Sequence, residues 1–117
     1  MNVAQLSTAL LNEAARRAYL RRVEILDQSA NLIKARLHIA PDLFVQVYRN
    51  DRFDTTNFAL IHNNQRVYAR DQVGGVWHRH TTALPEAHDA SSEGRRPTEL
   101  PHFLDEVESI LAALGLP

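Results

Sequence analysis

The stretch LIKARLHIAPDLFVQVYRN, residues Leu32–Asn50, alternates apolar and polar side chains on both sides of a Pro-Asp step. Side chains on a strand point to opposite faces in turn, so a period of two predicts two strands. Ile33, Ala35, Leu37 and Ile39 fall on one face of the first strand, and Lys34, Arg36 and His38 on the other. In the second strand Leu43, Val45 and Val47 face inward, while Phe44, Gln46 and Tyr48 face outward. Pro41-Asp42 supplies the turn between them. An aliphatic sheet face needs a cover, and the end of the chain provides one. Leu100, Phe103, Leu104, Val107, Ile110, Leu111 and Leu114 recur at helical spacing, which predicts an amphipathic helix. Thr98 is its expected N-cap, Pro101 sits harmlessly in the first turn, and Gly115 stands where the helix should close.

The elements on either side follow the same logic. Residues 3–19 are rich in Ala, Leu, Glu and Arg and read as a helix. From Arg22 the period becomes two, with Val23 and Ile25 alternating, before turn residues at 27–31. After a loop at 50–56, "NFALIH" (57–62) alternates little and reads as a strand covered on both faces. Asn63-Asn64 is a hairpin signal, because Asn tolerates positive φ. "QRVYARD" (65–71) returns, with Val67 and Ala69 expected inward and Arg66, Tyr68 and Arg70 outward. A Gly-Gly turn leads into "VWHRH" (76–80), read as a short last strand. Residues 81–97 show no period and form a long connection, of the kind that is usually functional. The expected fold is one α+β domain over residues 1–117. It has a single antiparallel meander sheet of about five strands, with an N-terminal and a C-terminal helix packed on one face.

Composition narrows the function classes. Hydrophobic residues make up 44% and charged residues 23%, which suits one core with a wet surface. There is no cysteine, so disulfides and thiolate metal sites are excluded. The N-terminal stretch has no basic region ahead of its apolar residues, and no apolar run is long enough to span a bilayer. A cytoplasmic location is expected, with no membrane partner. No phosphate-binding Gly-rich loop, nucleophile elbow or HExxH motif is present. The net charge of −1 divides unevenly: residues 1–85 carry eleven cations against seven anions, and residues 86–117 carry two against seven. A basic body therefore precedes an acidic C-terminal helix.

Two groups of residues carry candidate chemistry. Lys34 and Arg36 share one strand face, and Arg66 and Arg70 another with Tyr68 between them. Together with Arg79 they are candidates for a nucleic-acid-binding face, since cations interleaved with aromatics suit a phosphate backbone and stacking bases. The alternative is an ordinary solvated face, where strand cations guard against edge aggregation. The second group is the histidine-rich segment. His78 and His80 lie two apart and share a face if 76–80 is a strand, and His88-Asp89 follows in the long loop. One reading is acid–base catalysis on a phosphodiester, with His78, His80 and His88 moving protons and Arg70 or Arg79 stabilising charge on phosphorus. A second is a metal held by the three histidines and Asp89, although no standard ligand spacing supports it. A third leaves them as polar loop residues beside a core-closing Trp77. The expected catalytic set is Arg70, His78, His80 and His88, with no cofactor and no metal.

The segments "LIKARLHIAPDLFVQVYRN", "FALIHNNQRVYARDQVGGVWHRH", "HD" (88–89) and "FLDEVESIL" together resemble small bacterial and archaeal proteins related to the TumE-type toxin family, over roughly residues 22–111. The shared pattern is an arginine-aspartate pair at a strand end, here Arg70-Asp71, followed by a histidine-rich segment, here His78, His80 and His88. The toxins carry adjacent paired histidines close behind that pair, where this chain has "WHRH" after a Gly-Gly turn. The resemblance implies the toxin half of a toxin–antitoxin pair with a helix-turn-helix antitoxin as partner, and it suggests action on RNA. The expected function is a toxin-like, metal-independent ribonuclease. The alternative is a non-catalytic module binding nucleic acid or protein, with homodimerisation also open.

Overall fold

In the computed structural model, which describes all 117 residues, the Leu32–Asn50 alternation becomes a pair of strands with the predicted faces. The element order is α1 (Val3–Arg16), β1 (Arg22–Gln28), β2 (Leu32–Ala40), β3 (Leu43–Asn50), β4 (Thr55–His62), β5 (Gln65–Val73), β6 (Val76–His80) and α2 (Leu100–Leu114). The strands pair in sequence order, all antiparallel, so the sheet is a pure meander. It has six strands rather than five. Val76–His80 makes a full sixth strand because the Gly74-Gly75 turn lets it fold back along β5. Asn63 and Asn64 both take positive φ, the backbone a two-residue hairpin loop requires.

Both helices pack on one side of the sheet. Ile33, Ala35 and Leu37 of β2 align with Arg49, Val47 and Val45 of β3, which in turn align with Thr56, Phe58 and Leu60 of β4. Leu6 and Leu10 of α1 and Phe103, Leu104, Val107 and Leu111 of α2 close over them in one continuous core. Phe103 is central, 5.5 Å from the ring of Phe58 and 5.7 Å from that of Tyr68. Gly115 ends α2 in the left-handed conformation, as its position suggested. The expected N-cap is displaced: Glu99 occupies that position, and the Thr98 hydroxyl donates to the Arg96 carbonyl instead. No helix is long and apolar enough to cross a membrane.

One local irregularity reverses part of the expected pattern. Leu60 pairs with Tyr68 and Ile61 with Arg66, so Val67 is one residue too many. Such a bulge shifts the side-chain parity of everything beyond it. Arg66 stays on the open face, but Tyr68 and Arg70 turn to the helix-covered face and become buried. Ala69 and Asp71 take the open face in their place. The expectation that Arg66, Tyr68 and Arg70 share an outward face therefore fails at Tyr68 and Arg70.

A buried arginine joins the two helices. Glu13 of α1 and Arg17, which caps its end, are both buried, and Arg17 reaches Asp105 and the Pro101 carbonyl of α2. The Arg16 guanidinium, with Arg17 behind it, holds the Glu13 carboxyl below its usual range. A depressed carboxylate stabilises the fold above its unfolded-state pKa and ceases to do so as the pH falls through its folded value. Wild type should therefore lose more stability between pH 7 and pH 3 than Glu13→Gln, as measured by urea midpoints at each pH; equal losses would remove Glu13 from the pH dependence. Truncating Phe103 to Ala should cost about 3–5 kcal/mol in the same assay, since its ring fills the centre of the core.

Candidate functional site: a histidine–aspartate cluster on the open sheet face

The site is built on the β5–β6 hairpin. Gly74 and Gly75 take φ of 56° and 85°, which side chains rarely adopt, and the Gly75 N–H donates to the Asp54 carbonyl of the β3–β4 loop. The turn sets His78 opposite Asp71 and His80 opposite Ala69. His78 and His80 share the open face as their spacing predicts, with ring centroids 5.6 Å apart. His88 arrives from the long loop. Asp89 forms a two-way backbone bridge with Arg79, and its carboxylate accepts twice from the Arg79 guanidinium. That anchor lays the His88 ring over His78 at 4.3 Å and against the edge of His80 at 4.7 Å. One ring nitrogen from each histidine lies within 4.8 Å of the other two.

A carboxylate completes the cluster. Asp71 Oδ2 lies 3.2 Å from His80 Nε2 and 3.6 Å from His78 Nε2. Its other oxygen accepts from Asn57 Nδ2, and Asn57 in turn accepts from Gln46 Nε2 at 2.9 Å. Three strands thus fix the aim of Asp71. His80 is almost fully buried, and its Nδ1 lies 2.9 Å from the Pro85 carbonyl. A carbonyl only accepts, so Nδ1 carries the hydrogen and Nε2 faces Asp71. Arg66 donates to the same carbonyl. Burial pushes the His78 imidazole below its ordinary pKa, an effect Asp71 opposes and the neighbouring His88 and His80 reinforce.

Three of the four expected catalytic residues therefore meet, and one does not. Arg70 is wholly buried on the opposite face, where it bonds Glu106 of α2 and both the carbonyl and carboxylate of Glu93. Among the expected nucleic-acid contacts, Lys34, Arg36 and Arg66 do lie on the open face. Tyr68 does not: it is buried and donates to Glu106, and burial with that carboxylate raises its pKa to about 12. Arg79 is committed to Asp89, whose carboxyl is held down to about 2 by hydrogen bonds from Ser91 and then by Arg79. That pairing also takes Asp89 out of the set of groups facing the histidines. Asp71 stands there instead. The sequence offered the Arg-Asp pair, but only the bulge reveals which of the two faces the cluster. Asn57 and Gln46 carried no signal beyond their polarity.

The open face offers more than the cluster. Arg36 lies over the Phe44 ring at 4.5 Å, and the Nε groups of Arg36 and Arg66 are buried without a partner. Lys34 lies four strands from His78, roughly 19 Å away at the usual strand spacing. Comparison with family models, curated proteins and solved structures finds no match for this chain.

The loop that delivers His88 has one tight point. A Cβ placed on Gly94 would meet the Asp89 carbonyl oxygen at 2.0 Å and its carbon at 2.8 Å. Both are backbone atoms, so a side chain there must displace the loop. Gly94→Ala should make residues 81–97 sensitive to limited proteolysis and shift the His78 and His88 ring resonances. Ser92→Ala, at an exposed position nearby, should change neither.

Proposed function

We propose that this chain is a toxin-like protein that binds single-stranded RNA on its open sheet face and cleaves the backbone at the histidine cluster. The observation that carries the reading is that His78, His80 and His88 converge on the one sheet face that no helix covers, the face that also carries Lys34, Arg36 and Arg66. Cations suit phosphate oxygens, and Phe44 and Tyr48 between them are only partly buried and suit stacked bases. The resemblance to TumE-type toxins supports RNA as the target and a helix-turn-helix antitoxin as the partner, with action in the cytoplasm.

The chemistry follows from imidazole. With the ring nitrogens free, one neutral ring takes the proton from the ribose 2′-hydroxyl as the 2′-oxygen bonds phosphorus. A protonated ring gives its proton to the departing 5′-oxygen as the P–O5′ bond breaks. The products are a 2′,3′-cyclic phosphate and a 5′-hydroxyl. Arg66, rather than Arg70, is the cation beside the cluster that would steady the charge on phosphorus. This form of the reaction needs no metal. His88 is exposed on the loop, so it can be changed without disturbing the core.

The test uses single-stranded RNA and its 2′-deoxy counterpart. Wild type should cleave only the former, and His88→Ala should slow cleavage by about 100-fold or more. Binding should weaken with salt by about 0.7 logarithmic units for each phosphate contacted by Lys34, Arg36 or Arg66. Full activity in His88→Ala would take the cluster out of the reaction. Salt-dependent binding without any cleavage would favour a non-catalytic RNA-binding module.

A further inference from the structure

The cluster has an electrostatic peculiarity that proton transfer does not require. Of the six histidines only His38 and His80 hydrogen-bond to protein groups. The ring nitrogens of His78 and His88 are therefore unspent. They face one another, His80 Nε2 and Asp71 Oδ2 across a few ångströms. Lone pairs brought this close repel unless protons or a metal cation lie among them, and one metal ion satisfies all four groups at once. We propose that His78, His80, His88 and Asp71 bind one divalent transition-metal ion of the zinc class. This rests on reading the cluster as the functional centre; an ion held there occupies the ring nitrogens, so the metal-free cleavage described above belongs to the ion-free protein.

Distances and supporting contacts agree with this occupant. Ligand atoms at about 2.0–2.1 Å around a tetrahedral zinc ion lie roughly 3.3 Å from each other. Asp71 Oδ2 is already 3.2 Å from one histidine nitrogen and 3.6 Å from a second. The three nitrogens lie within 4.8 Å of each other, a spacing that side-chain rotation would have to close to fit the ion. The buried ligand has the support metal-binding histidines usually have: His80 Nδ1–H points at a backbone carbonyl, which fixes the tautomer and aims Nε2 at the ion. Asp71 is likewise aimed by Asn57. Imidazole and carboxylate without thiolate suit zinc, cobalt, nickel or manganese rather than calcium or copper(I). Asp89, the carboxylate adjacent in sequence to His88, is spent on Arg79 and is not a ligand.

The experiment reads binding directly in the intact chain. Protein stripped with chelator is titrated with Co²⁺ by visible absorption and with Zn²⁺ by calorimetry. The expected result is one ion per chain, with intense d–d bands of a four- or five-coordinate site. Asp71→Asn, which keeps the shape, should weaken affinity by about 10-fold or more. His88→Ala should lose the bands while retaining the wild-type circular dichroism, and His102→Ala should match wild type. A Co²⁺ spectrum no different from the free aqua ion, or equal binding by wild type and His88→Ala, would overturn the proposal. In that outcome RNA cleavage in chelator would still stand on the free imidazoles. Stoichiometric metal binding in a protein that leaves RNA intact would uphold the ion and remove the substrate.

Discussion

A single buried guanidinium ties the sheet, the last helix and the long loop together. Arg70 has no exposure to solvent, and moving its charge out of water is costly unless the charge is paired in good geometry. Glu106 of α2 accepts from Nε and Nη2, and Glu93 accepts from Nη2 through its carboxylate and from Nη1 through its carbonyl. The Glu106 carboxylate also takes the hydroxyl of Tyr68. A chain with Arg70 inside must therefore bring both α2 and the 81–97 loop against β5. Once Glu93 is drawn in, the loop passes the end of β6, where Asp89 meets Arg79 and His88 falls onto His78. The histidine cluster on one face of the sheet thus depends on an ion pair on the other.

That dependence explains which features could be read from residues alone. The two strands in Leu32–Asn50, the closing helix and the shared face of His78 and His80 are properties of spacing, and spacing is local. The bulge at Val67 is not. Gln65–Asp71 alternates equally well in either phase, and nothing within it says whether Arg70 or Asp71 turns inward. Glu106, some forty positions later, decides the matter by offering Arg70 a partner it cannot find outside. Asp71 is concealed by the same circumstance, because its role exists only after its neighbour has been assigned to the core. Thr98 shows the limit at a smaller scale: the helix begins one residue later, with Glu99 in the cap position, and the Thr98 hydroxyl donates to the Arg96 carbonyl.

The two faces consequently divide their tasks residue by residue along β5. Tyr68 and Arg70 belong to the covered face and to stability, while Arg66 and Asp71 belong to the open face and to the site. Adjacent substitutions should therefore have different consequences. Removing Asp71's charge leaves the core untouched, whereas removing Arg70's leaves Glu106 and Glu93 unpaired and frees the loop. The Arg70-Asp71 pair thus unites two roles in consecutive positions, one holding the frame and one facing the histidines.

The histidines also need a rigid base, and β6 is a poor candidate by itself. It has five residues, lies at the sheet edge and has a strand partner on one side only. Each end is nevertheless tied down. At the turn, Gly75 donates to the Asp54 carbonyl, and the Asp54 side chain is held by Arg49, a second buried guanidinium that also bonds Asp51, Thr56 and Gln72. At the far end, Arg79 is bridged to Asp89 through backbone and side chain, while His80 and Arg66 share the Pro85 carbonyl. Between these anchors Trp77 packs into the core beside Phe58. An edge strand fixed at both ends and in the middle can hold two imidazoles at a set separation. The third then comes from the 81–97 loop, placed by the Asp89–Arg79 bridge.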